Sequence, residues 1–236
     1  YGAVTAMDEQ VGRINEEIKK LGIEDNTVIF FCSDNGPEGR SESTERRTCG
    51  STGGLRGRKR SLFSGGVCVP AVVKWPRYIK PGTVYDMPCS TLDYFPTITG
   101  EFGYSLPDSR PLDGIGLIPF FKGELKKRPK PIPLRFVDTR ENMFGSPTFG
   151  MIDNNYKLLT NFNSDDDMLF DLEVDPYEEI NIADSKKDYV KSLKDQLYGL
   201  LEDFRRSHFG GDYNDPDYKP LTEFIENTQG WRIPKK

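Results

Sequence analysis

The sequence predicts an α/β domain followed by a small antiparallel sheet closed by a helix. Near the N-terminus a helical apolar stripe leads straight into a continuous β-branched and aromatic run, the succession expected of α/β architecture. Short strand-like pieces between residues 134 and 172 are separated by Asn- and Asp-rich turns, the pattern of an antiparallel meander. A second helical stripe, from Val190 to Phe204, comes after them.

Taken in order, Val4, Met7, Val11, Ile14, Ile18 and Leu21 share one helix face, and Gly22 stands where a C′ glycine ends a helix. Thr27–Cys32 then reads as a strand buried on both faces, hence a central parallel strand. It stops at Ser33-Asp34-Asn35-Gly36, which places two oxygen-bearing side chains at a strand's carboxyl end, where open α/β sheets bind ligands. Residues 37–54 show no periodicity and read as a long loop of the kind that carries function. Val67–Trp75 is a second apolar run, with Pro70 near a strand start or edge. Residues 86–98 read as a short strand running into a proline-started helix. A Gly-, Pro- and Lys-rich connection occupies about 100–131, which divides the chain into a part spanning 1–130 and a C-terminal unit spanning 131–236.

Composition narrows the function classes. The 236 residues include 32 Lys and Arg against 37 Asp and Glu, a formal charge of −5 that argues against nucleic-acid binding by bulk electrostatics. No apolar run reaches the roughly 18 residues of a membrane-spanning helix. Tyr1 leads at once into an amphipathic pattern, which reads as a chain cut in mid-domain. Four cysteines and one histidine make neither a disulfide scaffold nor a standard zinc cluster; Cys32 and Cys68, inside apolar runs, read as small buried hydrophobes. His208 reads as a surface residue, and Asp165-Asp166-Asp167 as a solvated charge run.

Two places carry chemistry. Between Arg46 and Arg60 six basic residues, Arg46, Arg47, Arg56, Arg58, Lys59 and Arg60, alternate with glycines and contain no acid, which suits a sulfate- or phosphate-sized anion. Asp34 and Asn35 offer hard oxygen donors appropriate to Ca²⁺ or Mg²⁺, although Asp-Asn-Gly also marks a tight turn.

Asp34-Asn35-Gly36-Pro37-Glu38, Ser51-Thr52-Gly53-Gly54-Leu55-Arg56-Gly57-Arg58-Lys59 and Gly65-Gly66-Val67-Cys68-Val69-Pro70, in that order and spacing, resemble the C-terminal half of the sulfatase family. The likeness continues through Leu92-Asp93-Tyr94-Phe95-Pro96-Thr97 to Phe170-Asp171-Leu172-Glu173-Val174-Asp175-Pro176. The resemblance implies part of an alkaline-phosphatase-like mixed or parallel sheet with helices, a small C-terminal sheet, and hydrolysis of aryl or carbohydrate sulfate esters at a formylglycine beside a bound calcium. By motif, Asp34 and Asn35 would be calcium ligands and Lys59 the lysine that contacts the sulfate. The family usually carries Gly after that lysine and an aromatic-Glu pair before the double glycine, where this chain has Arg60 and Phe63-Ser64; Cys68 stands where Arg is frequent. None of the four cysteines satisfies the formylglycine signature, so the nucleophile and the remaining calcium ligands are expected from an N-terminal half absent from this sequence, and the chain alone is expected to be inactive. The resemblance also suggests a secreted, periplasmic or lysosomal setting. Two alternatives stand beside it: a noncatalytic sulfate- or glycan-binding module, and a phosphate or phosphonate ester hydrolase, which the single histidine disfavours.

Overall fold

The computed structural model describes residues 2–39, 50–107, 110–136, 145–162, 167–213 and 215–219. Helix α1, Gly2–Lys20, is the first apolar stripe. It forms without covering that stripe: Val4, Met7, Ile14 and Leu21 are all exposed. Lys74 ties the helix to the turn at residues 24–26, since its ammonium donates to Asn15 Oδ1 at 2.9 Å and to Glu24 at 2.7 Å.

Strand β1, Ile29–Cys32, pairs with β2, Ala71–Lys74. The pairing is antiparallel, which corrects the expectation of a parallel neighbour, and β1 has no second partner among the described residues. Nor is the run buried on both faces, since Phe31 and its cross-strand partner Val72 are exposed together. A continuous apolar strand records that both faces can be buried; it says nothing about direction or about what covers each face.

The second apolar run also starts differently. Ser64–Val67 is a one-turn helix, α2, and only Ala71–Lys74 is strand, with Pro70 immediately before it as expected. Cys68 is consequently exposed and Cys32 only half-buried, so neither is the buried hydrophobe that its neighbours suggested.

No strand forms at 86–90. Ser90 instead caps a 3-10 turn at Thr91–Asp93, with Asp93 accepting from the Ser90 N–H at 2.7 Å, and α3 runs from Tyr94 to Glu101 with Pro96 in its first turn. Asp93 is fully buried and bound bidentately by Arg128 at 2.7 and 2.8 Å. The connection behind α3 contains a short helix, α4, Ile118–Phe121, and packs Ile115, Leu117, Phe120 and Phe121 against Trp75 and Ile79.

The C-terminal meander matches its sequence pattern. Strands β3 (Ile132–Arg135), β4 (Phe149–Asp153), β5 (Tyr156–Thr160) and β6 (Met168–Asp171) lie in sequence order, each antiparallel to the next. Alternation divides their side chains between two faces. Phe149, Met151, Leu158 and Leu169 pack under Val190, Leu193, Leu197 and Leu201 of α5, Lys187–His208. The opposite face presents Leu159 and Phe170, and these pack on Leu62 and Phe63 from the loop before α2. Asp167 is not solvated: it accepts from Lys194 at 2.7 Å and from Thr160, while Asp165 and Asp166 lie outside the described residues. His208 is partly covered in the last turn of α5. Among the described residues no helix is long and apolar enough to cross a membrane.

Candidate functional site

The site is assembled where the turn after β1 meets the loop before α2. In the turn, Asn35 N–H donates to Asp34 Oδ1 at 2.9 Å and the Asn35 amide nitrogen donates to Gly36 O at 3.0 Å. That arrangement leaves Asn35 Oδ1 and the second Asp34 oxygen as acceptors without a donor among the described residues. Asp34 is exposed and Asn35 half-buried.

Glycines allow the two segments to touch. Gly36 N–H donates to Gly66 O at 2.8 Å, and a Cβ at Gly36 would lie 1.8 Å from Gly65 O. Gly65 is enclosed in the same way, its imagined Cβ falling 2.2 to 2.7 Å from the carbonyls of Gly57, Arg56 and Leu55. The motif residues Gly36, Gly65 and Gly66 thus exist for backbone contact.

Lys59 is brought to the turn by its own backbone, because its N–H donates to Pro37 O at 3.0 Å. The neighbouring guanidinium groups are already committed. Arg58 Nε donates to Glu38 O at 2.8 Å and its Nη2 to Gly50 O; Arg60 forms an ion pair with the Glu38 carboxylate; Arg56 donates to Glu178 O at 2.9 Å and stacks 3.9 Å from the centre of the Phe63 ring. The half-buried Lys59 ammonium has no hydrogen-bond or ion-pair partner among the described residues. Three of the four described basic residues that the sequence offered as anion ligands therefore shape the loop. Arg46 and Arg47 lie outside the described residues.

Electrostatics reflect these contacts. Burial pushes the Glu38 carboxyl up, but the Arg60 hydrogen bond, the Gly39 N–H and the nearby cationic charges outweigh it and hold the group below the usual carboxylate range. Arg60 adopts φ +72°, a left-handed conformation that favours glycine, while its guanidinium pairs with Glu38.

Sequence reasoning missed Lys157 and Glu178. Both side chains are fully buried and paired at 2.6 Å, behind the loop that carries Lys59. The signal for Lys157 was a lysine at an inward position of an otherwise apolar strand. Nothing local marks Glu178, which lies in an acidic turn.

Two family models match this chain: Sulfatase over residues 1–104, and N-sulphoglucosamine sulphohydrolase, C-terminal, over residues 57–207. The chain belongs to the sulfatase family. Among sulfatases, it is 38% identical over 129 residues to mouse steryl-sulfatase, covering 54% of this chain and 21% of that one. It is 30% identical over 165 residues to the uncharacterized sulfatase YdeN of Escherichia coli K12, covering 70% of this chain and 28% of the relative. The structure is similar to that of Ps i-CgsB in complex with k-i-k-neocarrahexaose, at a TM-score of 0.66 and 27% identity, over 94% of this chain and 45% of that one. This sulfatase sequence thus spans less than half the length of each of these relatives.

Proposed function

We propose that this chain supplies part of a sulfuric ester hydrolase site, with Lys59 holding a sulfate oxygen beside Asp34 and Asn35. The observation that supports the reading is a Lys59 ammonium with no hydrogen-bond or ion-pair partner among the described residues, beside arginines that have them, with its backbone tied to the Asp34–Pro37 turn. A sulfate monoester presents tetrahedrally arranged oxygens that carry its negative charge, and an ammonium on a short, glycine-fixed loop stabilises that charge with little reorganisation. The solved relative bound to k-i-k-neocarrahexaose supports a carbohydrate as the part of the substrate that carries the ester.

Asp34 and Asn35 fit calcium in kind, since both carry hard oxygens left available by the turn's own hydrogen bonds. They supply two of the about 6–8 oxygens calcium takes, and the described residues contain no group of three or more His, Cys, Asp or Glu able to complete a metal site. When bound, the ion would add Lewis-acid stabilisation of the sulfate charge. Within this chain, Asp34 and Asn35 would hold that ion and Lys59 would orient the anion against it. The other ligands and the formylglycine nucleophile are assigned to an N-terminal half of the same protein.

Turnover of an aryl sulfate tests the reading. Residues 1–236 alone should show none; joined to an N-terminal half bearing the nucleophile, the protein should turn over, and Lys59→Ala or Asp34→Ala should lower the rate at least about 10²-fold. Near-normal rates in either variant would reject the assigned role. Sulfate binding without turnover in the joined protein would favour the noncatalytic module.

A further inference from the structure

We propose that Lys157 and Glu178, both contributed by the C-terminal meander unit, are positioning residues that set the loop carrying Lys59. The loop is closed at its base by Gly65 N–H donating to Arg56 O at 2.7 Å, and Lys59 lies between these stems. Glu178 holds both of them. Its backbone carbonyl accepts from Arg56 Nη1 at 2.9 Å, and its carboxylate accepts from the Ser64 N–H at 2.6 Å. Lys157 locks that carboxylate at 2.6 Å and reaches Ser64 Oγ at 3.3 Å.

Several features show a built device rather than an incidental ion pair. Neither side chain is exposed, so the pair carries a desolvation cost that its local bonds must offset. That cost is visible in Lys157, where burial pulls the ammonium below the usual lysine range against the opposing pull of Glu178. Glu178 itself sits at φ +59°, a conformation held by Asp175, whose carboxylate caps the N–H groups of Glu179 and Ile180 at 3.0 and 2.9 Å. Ser146 adds a third tie from the same unit by accepting from Leu62 N–H at 2.9 Å. The carboxylate that reaches the Ser64 backbone comes from a turn 114 residues away in the chain.

The loop-setting role stands on this geometry alone. Its consequence for anion binding rests on the reading of Lys59 given above, and the experiment separates the two. In the purified chain, hydrogen exchange at the amides of Ser64, Gly65 and Gly66 reports loop order, and the concentration of inorganic sulfate that half-protects Lys59 from amine acylation reports anion binding. Lys157→Met with Glu178→Leu removes both charges while keeping apolar bulk, a replacement that buried pairs commonly tolerate. Loop amides should then exchange at least about 10-fold faster with α5 amides unchanged, and half-protection should need at least about 10-fold more sulfate. Lys157→Met with Glu178→Gln retains an acceptor for Ser64 N–H and should recover part of both effects. Ser64→Pro deletes the donor and leaves the ion pair intact; Phe63 is already extended (φ −63°, ψ 157°), so this variant tests the loop should the core replacements fail to fold. Unchanged loop exchange in folded variants would overturn the positioning role. Absence of sulfate protection in the unaltered chain would overturn the Lys59 reading instead, with the exchange measurements still deciding the loop.

Discussion

Arg60 combines a strained backbone with an ion pair, and replacing it by alanine and by glycine separates the two. At φ +72° a residue with a Cβ costs about 1 kcal/mol relative to glycine. The Arg60–Glu38 pair is partly open to solvent, with side chains 33% and 15% exposed, so it contributes at most about 1 kcal/mol. Arg60→Ala loses the pair and keeps the strain, which predicts a loss of about 0.5–1 kcal/mol. Arg60→Gly loses both and should fall within about 0.5 kcal/mol of the unaltered chain. The glycine variant is therefore expected to be the more stable of the two by about 1 kcal/mol, or roughly 2–4 °C in Tm for a chain of this size. An unstrained position would give the reverse, because glycine raises the entropy of the unfolded chain. Urea denaturation of the three proteins at neutral pH measures the difference, and a Glu38→Gln change in each background isolates the pair. If alanine equals or exceeds glycine, the backbone argument fails; if Glu38→Gln costs as much with glycine at position 60 as with arginine, the ion-pair argument fails.

Other outcomes follow from the same contacts. Arg128→Met leaves the fully buried Asp93 carboxylate without its cation and should cost about 3–5 kcal/mol by thermal unfolding; adding Asp93→Asn should restore part of that, and a single-variant loss below about 1 kcal/mol would show the pair to be dispensable. Gly36→Ala drives a Cβ to 1.8 Å from Gly65 O, so the Gly36–Gly66 hydrogen bond should break and Tm fall by several degrees; an unchanged melting curve would contradict this close approach. Glu38 has a folded pKa below its unfolded value, so its contribution is present above the ordinary carboxylate pKa of about 4.3 and is lost as pH falls through the folded value. Stability measured between neutral pH and pH 3 should accordingly decline less steeply in Glu38→Gln, and parallel curves would refute the linkage.

Local periodicity carried the helices and the meander. The stripe from Val190 to Leu201 could bury its apolar side only as a helix, and the short apolar runs of β3 to β6 pair in sequence order. Periodicity failed where a run of apolar residues had more than one use: Val67 closes a helical turn, Cys68 is exposed, and β1 found an antiparallel partner. The candidate site was legible as composition, a cluster of cations and glycines beside an Asp-Asn pair, because those residue types are needed wherever backbone and cation converge on an anion.

By itself the sequence determined the family, the first and last helices and the meander, since motif spacing and hydrophobic period are local properties of the chain. Only the tertiary structure decided which of the loop's described cations has no hydrogen-bond or ion-pair partner among the described residues. Arg56, Arg58 and Arg60 are indistinguishable from Lys59 in a count of charges, yet their guanidinium groups are taken up by Glu178, Glu38, Gly50 and Phe63. The tertiary structure likewise decided that Lys157 and Glu178, which lie 93 and 114 residues beyond Ser64, back the same loop. Hydrogen-bond partners and desolvation depend on which distant segments the fold brings together, and that information is spread over the whole chain rather than written in any one motif.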